Sequence, residues 1–372
     1  MPGAILFNGN AETNEALIRG AAPILLSTRH QDPEVADSKR VLLITAGWAE
    51  DEHNEGHIKA TLNEIGVESR FVDGYDRSLV NLSLLTELKE LLHVTPALAD
   101  AWAELRRVVS AARSLYLAHN AHLIALFRRA LTEAKSIDRT VTLPRLFREE
   151  GHSIRGRPLL RFALARELNQ TLQTLEENDE NLVNLLRELE QRAFDDAGVT
   201  YNLRWRDARE RLEKRILSAN SIVIFGGRLD LLLDALRFFR LRDPMFEALR
   251  RGAQFVAMSA GAMVLCERVI VYDDLAETRR DFQLYDRGLE LVRDIQLFPH
   301  CMERIQTDDP DNLAYLARRF RHHVCVGLNQ RSFLLLELKP RRAISKGDED
   351  GVYVFGPDGD KLCYRAGQAI PF

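Results

Sequence analysis

Three short apolar runs, each closing on small residues, limit what this chain can fold into. They are residues 40–45 (RVLLIT), 221–227 (SIVIFGG) and 254–259 (QFVAMS), the last continuing into Ala260-Gly261-Ala262. A strand with one face in water alternates apolar and polar residues. A run that is apolar throughout suits a strand covered on both faces, which in practice means a parallel sheet between layers of helices. The stretch after the first run fits this. From His57 to Ile65 the spacing is helical, with Ile58, Leu62 and Ile65 on one side and Gly66 as the stop. Residues 67–72 then read as the next strand, so strand, helix and strand form a βαβ unit.

The pattern is interrupted once, and for a long way. From residue 79 to 215 the sequence predicts no strand. Leu84, Leu85, Leu88, Leu91 and Leu92 mark one helix, residues 97–134 are rich in Ala, Leu and Arg at helical period, and residues 159–194 form another such run. Pro144 and the segment 151–158 mark breaks. After Ser221 short strands return, at 269–272, 295–298, 324–328 and 332–338, with a closing hairpin at 353–355 and 361–364. The expected architecture is therefore α/β. A mostly parallel sheet flanked by helices is built from residues 1–78 and 216–372, and a large all-helical insertion occupies residues 79–215. The 372 residues thus need not be two or three domains in a row. Within the insertion Leu172, Leu175, Leu182, Leu185, Leu186 and Leu189 make a stripe that serves internal packing first. The same pattern can join two copies, and a homodimer is the expected assembly.

Composition excludes several classes of function. A net charge of -4 gives no general attraction to nucleic acid or to an anionic membrane, and no apolar run approaches the roughly 20 residues of a membrane span. Cys266, Cys301, Cys325 and Cys363 have no CxxC spacing, which argues against a zinc ribbon or redox dithiol. Without a recognisable signal peptide they read as reduced thiols in a cytoplasmic protein. Only eight of the 51 basic residues are lysine, an arginine excess that coding bias accounts for. His53 and His57 lie four apart without a visible third ligand, and an exposed polar helix start explains them better than a metal. His322-His323 closes a basic helix, and the arginines between 128 and 161 are followed by acidic residues that can pair with them.

The chemistry gathers at two strand ends. Ser259 sits where an apolar strand meets Ala260-Gly261-Ala262, residues small enough for a sharp strand-to-helix turn that pushes the hydroxyl out of the sheet. This is the logic of a nucleophile elbow, although Ala257 replaces the first glycine of G-x-S-x-G. Gly226 and Gly227 end the preceding strand, where a glycine lets backbone approach a ligand and offers its N–H to a developing oxyanion. A serine nucleophile needs a base, and of ten histidines His300 is the one placed after a downstream strand. Asp273, Asp274 and Glu277 lie between serine and histidine as candidates for the acid that orients the imidazole. No cofactor is required.

With these residues in place the sequence resembles the serine peptidases that include cyanophycinase and peptidase E, an aspartyl dipeptidase. They have a class I glutamine amidotransferase-like, flavodoxin-like fold and a G-x-S-A-G-A elbow. Residues 258–262 match that elbow beyond its first position, residues 222–227 resemble the strand before the oxyanion glycine, and His300 lies at a similar distance from the serine. Arg304 matches the arginine of H-F-x-x-R, with Cys301 in place of the aromatic. Residues 327–332 (GLNQRS) resemble a late G-I-D-E-x-T strand, with amides in place of acids. The likeness covers about 1–78 and 216–340, and not the helical block.

The resemblance implies a hydrolase of peptide or isopeptide bonds acting on a peptide or amino-acid-derived substrate. It makes Ser259 the nucleophile, His300 the base, Gly227 and Ala260 the oxyanion donors, and Gly226, Arg228 and Arg304 substrate contacts. Dipeptidase spacing points to Asp274 as the acid and cyanophycinase spacing to Glu277. Asp274 is preferred because it closely follows an apparent strand, with Asp273 its nearest rival. Arg228 stands where the family has Asn or Asp, and a cation there would favour a carboxylate over a peptide amino terminus. The competing expectation is a non-catalytic binding or assembly protein that works through its helical insertion.

Overall fold

The computed structural model describes residues 3–27, 29–72, 75–148, 154, 157–272, 282–305, 307–347 and 351–371. Five strands run parallel: β1 (Ala4–Asn8), β2 (Val41–Ile44), β3 (Leu79–Asn81), β4 (Ser221–Ile224) and β5 (Gln254–Met258). They lie in the order β1-β5-β4-β2-β3. Beyond β1 the sheet continues with antiparallel strands, beginning at Ser332–Leu338. The apolar runs are explained by what lies above and below. Leu42, Ile44, Ile222, Ile224, Phe255 and Ala257 join one core, while their alternate neighbours Val41, Leu43, Val223, Val256 and Met258 join another. Period-two alternation therefore persists in strands that look uniformly apolar, because both faces are covered.

Helices α1 (Asn14–Leu25) and α2 (Gly56–Glu64) cover one face through Leu17, Ile18, Ile58 and Leu62. The other face receives α3 (Leu84–Val94), α6 (Leu203–Leu217) and α7 (Leu229–Phe238). Between α3 and α6 run two long helices, α4 (Pro96–Ile137) and α5 (Pro158–Asp196). With 42 residues α4 spans about 63 Å. Trp102 meets Phe194 and Tyr116 meets Asp179, so the two helices are antiparallel. Leu98, Trp102, Leu105 and Phe194 extend the sheet's own core, and residues farther along both helices pack against the segment 295–325. The leucine stripe is partly spent inside the molecule: Leu172, Leu175, Leu182 and Leu186 are buried, while Leu185 stays exposed.

Two sequence expectations are corrected. Residues 67–72 do not supply the next strand of the main sheet. Phe71–Val72 pairs only with Tyr75–Asp76, and Val67 fills the core as part of a loop. The edge strand is β3, which pairs in parallel with β2 inside a stretch expected to hold no strand. Three residues on a sheet edge are too few to establish a period.

A second sheet carries the other half of the chemistry. Its strands β6 (Ile295–Pro299) and β7 (Val324–Leu328) are parallel, and Val352–Phe355 and Lys361–Tyr364 add antiparallel partners. Helix α8 (Pro310–Arg319) packs against this sheet and against the long helices. Its last residue, Arg319, is wholly buried and meets Asp179 of α5 at 2.6 Å, while the Tyr116 hydroxyl of α4 donates to the same carboxylate oxygen at 2.5 Å. Burial opposes the charge on Arg319, but Asp179 more than offsets this and holds the guanidinium more basic than usual.

Candidate functional site

Parallel strands bring their carboxyl ends to one edge, and the glycine contacts there show how tightly the loops meet. A Cβ on Gly227 would lie 2.3 Å from the Gly47 carbonyl oxygen, and Gly227 has φ 118°, so glycine is required twice over. A Cβ on Gly261 would lie 2.4 Å from the Ile224 oxygen, which explains the small residues after the serine. Gly226 faces Ser259 itself, where a Cβ would stand 3.0 Å from the serine Cβ. Ser259 follows β5 with φ 49° and ψ -117°, a conformation that L-residues avoid. Its N–H donates to the Asn8 carbonyl of β1 at 3.0 Å, and the short helix Ala260–Met263 starts at once behind it. Strand, strained serine and short helix thus follow one another without a break, with Ala257 before them in place of glycine.

His300 follows β6 of the second sheet, also with positive φ (54°), and its side chain is 12% exposed. The two sheets meet through this pair: Ser259 Oγ and His300 Nε2 are 3.0 Å apart. On the far side of the ring Nδ1 lies 3.4 Å from Glu303 Oε2, a carboxylate the sequence reading did not single out. Asp273, Asp274 and Glu277 lie outside the described residues. The N–H groups of Gly227 and Ala260 donate to no protein acceptor among the described residues.

Arg228 follows Gly227, its N–H donating to the Gly47 oxygen at 2.7 Å. Its guanidinium grips Asp230 through Nη2–Oδ2 at 2.6 Å and Nε–Oδ1 at 3.2 Å, and this carboxylate raises its pKa further. Asp230 is raised by burial but brought below the usual carboxylate range by Arg228 and by the Leu231 N–H. The cation expected to attract a substrate carboxylate is thus already matched by one from its own helix. Arg304 closes the short turn after His300, and its N–H donates to the His300 carbonyl at 2.9 Å.

Other contributors were legible only as strand ends. Asn8 holds the Ser259 amide and donates its own side chain to the Gln330 and Ser332 carbonyls at 2.9 Å. Gly47 backs the glycine pair. His53 and His57 have structural partners, Thr86 at 2.8 Å and the Trp48 ring at 5.9 Å. Among the described residues no group of three or more His, Cys, Asp or Glu could hold a metal ion, and no helix is long and apolar enough to cross a membrane.

Serine hydrolases on α/β cores share this construction, with the hydroxyl lifted from the sheet edge on a strained turn and an imidazole brought to it from a later strand. It is the construction that a serine-peptidase-type hydrolase needs. Residues 183–356, which carry every one of these site groups except Asn8 and Gly47, match the sequence model of peptidase family S51. No curated protein matches the chain. Among solved structures, the crystal structure of a peptidase from an acI-B1 Actinobacterium is similar over 100% of this chain and 98% of its own, at 13% identity and a TM-score of 0.47.

Proposed function

We propose that the protein cleaves a peptide or isopeptide bond through an acyl-enzyme on Ser259. The hydroxyl proton passes to His300 Nε2 as Oγ attacks the carbonyl carbon. The tetrahedral oxyanion is received by the N–H groups of Gly227 and Ala260. The imidazolium then gives its proton to the leaving amine, and a water activated by the same nitrogen hydrolyses the ester. The reading is carried by the 3.0 Å separation of Ser259 Oγ and His300 Nε2, within the reach a nucleophile and its base require. A binding protein that had kept only the elbow would have no need to hold the two groups together. Asp274 is the acid proposed from sequence, with Glu277 and Asp273 as alternatives. Gly226, Arg228 and Arg304 are proposed to line the substrate, and the Arg228–Asp230 pair favours a substrate with both an anionic and a cationic group over a simple anion. The homodimer remains a proposal.

The direct test is covalent labelling of the purified protein by a fluorophosphonate, read by intact mass, with peptide and isopeptide libraries to find the scissile bond. One adduct on Ser259 is expected. No adduct and no cleavage would overturn the proposal. Gly227→Ala tests the oxyanion role. The added methyl cannot occupy its place without moving the loop, and loss of one preorganised donor is expected to lower kcat by about 10²–10³-fold. Unchanged kcat would remove Gly227 from the mechanism.

A further inference from the structure

The turn that carries His300 is held by residues that neither the fold nor the proposed chemistry has yet used. Asn329, 6% exposed at the end of β7, accepts the Met302 N–H at 3.0 Å and the Cys301 S–H at 3.1 Å through one oxygen. The backbone N–H of Asn329 donates to Ser332 Oγ at 2.6 Å, which holds the chain where it leaves β7. The neighbouring Gln330 donates its side-chain N–H to Glu303 Oε1 at 3.4 Å. The other oxygen of Glu303 is the one that lies 3.4 Å from His300 Nδ1. Asn329 and Gln330 are the two positions at which the sequence has amides where the resembling strand has acids. The difference has a physical use. A carboxylate at 330 could not donate to Glu303 and would repel it, whereas an amide can donate.

We propose that Glu303 is the positioning carboxylate for His300 and that Asn329 and Gln330 hold the turn that presents it. This rests on the serine-hydrolase reading above. With an acceptor at Nδ1, the imidazole keeps its proton there, which leaves Nε2 bare to accept from the Ser259 hydroxyl. As the imidazole gains a proton during attack, the carboxylate faces the new positive charge. Glu303 is on the histidine's own turn, three residues on, and its side chain is 57% exposed. Its influence is therefore partly screened by water and by salt, unlike that of a buried acid.

The experiment compares full-length wild type, Glu303→Gln, Gln330→Glu, Asp274→Asn and Ser259→Ala, each shown folded by its melting curve. The readouts are fluorophosphonate labelling rates and steady-state hydrolysis of the peptide found in the library screen. Glu303→Gln is expected to label and turn over about fivefold more slowly with KM unchanged. The gap should close as ionic strength rises from about 0.01 M to 1 M, because salt screens the same carboxylate in the wild type. Gln330→Glu should slow the reaction in the same way. A role limited to packing would not respond to salt. Glu303→Gln equal to wild type while Asp274→Asn is inactive would overturn the proposal and place the acid at 274. A loss that salt leaves unchanged would also overturn it. A wild type that no fluorophosphonate labels would instead remove the serine-hydrolase reading, and this proposal with it.

Discussion

Ser259→Ala is expected to lower kcat by about 10⁶-fold and to abolish fluorophosphonate labelling, while the protein still folds. The size of the effect follows from the arrangement. Ser259 Oγ is the atom 3.0 Å from His300 Nε2, and alanine leaves nothing to form the acyl bond. His300→Ala should cost about as much, and the double variant no more than either single one, because serine and base act as a unit. Residual hydrolysis of about 10³-fold over water is expected in all three, supplied by the oxyanion donors and by substrate positioning. Burst kinetics and single-turnover rates on the same peptide check all of this. Ser259→Ala with more than a tenth of wild-type kcat would remove the nucleophile from Ser259.

Asp179→Ala is the substitution expected to destabilise the fold most. It would leave Arg319, whose side chain has no exposed surface, charged and without its carboxylate, and deprive the Tyr116 hydroxyl of its acceptor. Breaking a buried pair from one side costs about 3–5 kcal/mol. Asp179→Ala with Arg319→Met should cost less than Asp179→Ala alone, because the orphaned charge is gone and only the packing and Tyr116 remain unsatisfied. Denaturant melts of the three proteins measure this. A double variant as unstable as the single one would mean that the pair matters through shape rather than charge.

The parts of the fold legible in the sequence were those with a strong local cause. Strands covered on both faces are apolar at nearly every position, and a turn that reverses within a few ångströms of another backbone must be small. These two demands made 40–45, 221–227 and 254–259 readable, and with them the elbow, the glycine pair and the sheet edge. His300 was readable because a nucleophilic serine needs a base. What stayed hidden depends on partners far away in sequence. Leu79–Asn81 is a strand only because β2 lies beside it. Glu303, Asn329 and Gln330 form a connected group only because β6 and β7 are neighbours. Arg228 was readable as an unexpected cation, but its matching by Asp230 depends on rotamers that no spacing predicts.

The backbone of Ser259 has one more consequence. At φ 49° and ψ -117° it occupies a region where a side chain is a burden and glycine is at ease. The proposed nucleophile therefore stands at a residue where the fold would gain by having no side chain at all. Ser259→Gly should be inactive yet resist denaturant better than Ser259→Ala, by about 1 kcal/mol or more. Selection for turnover thus keeps the protein below a robustness its own backbone would allow, and random variants screened only for thermal endurance should drift toward glycine at this position.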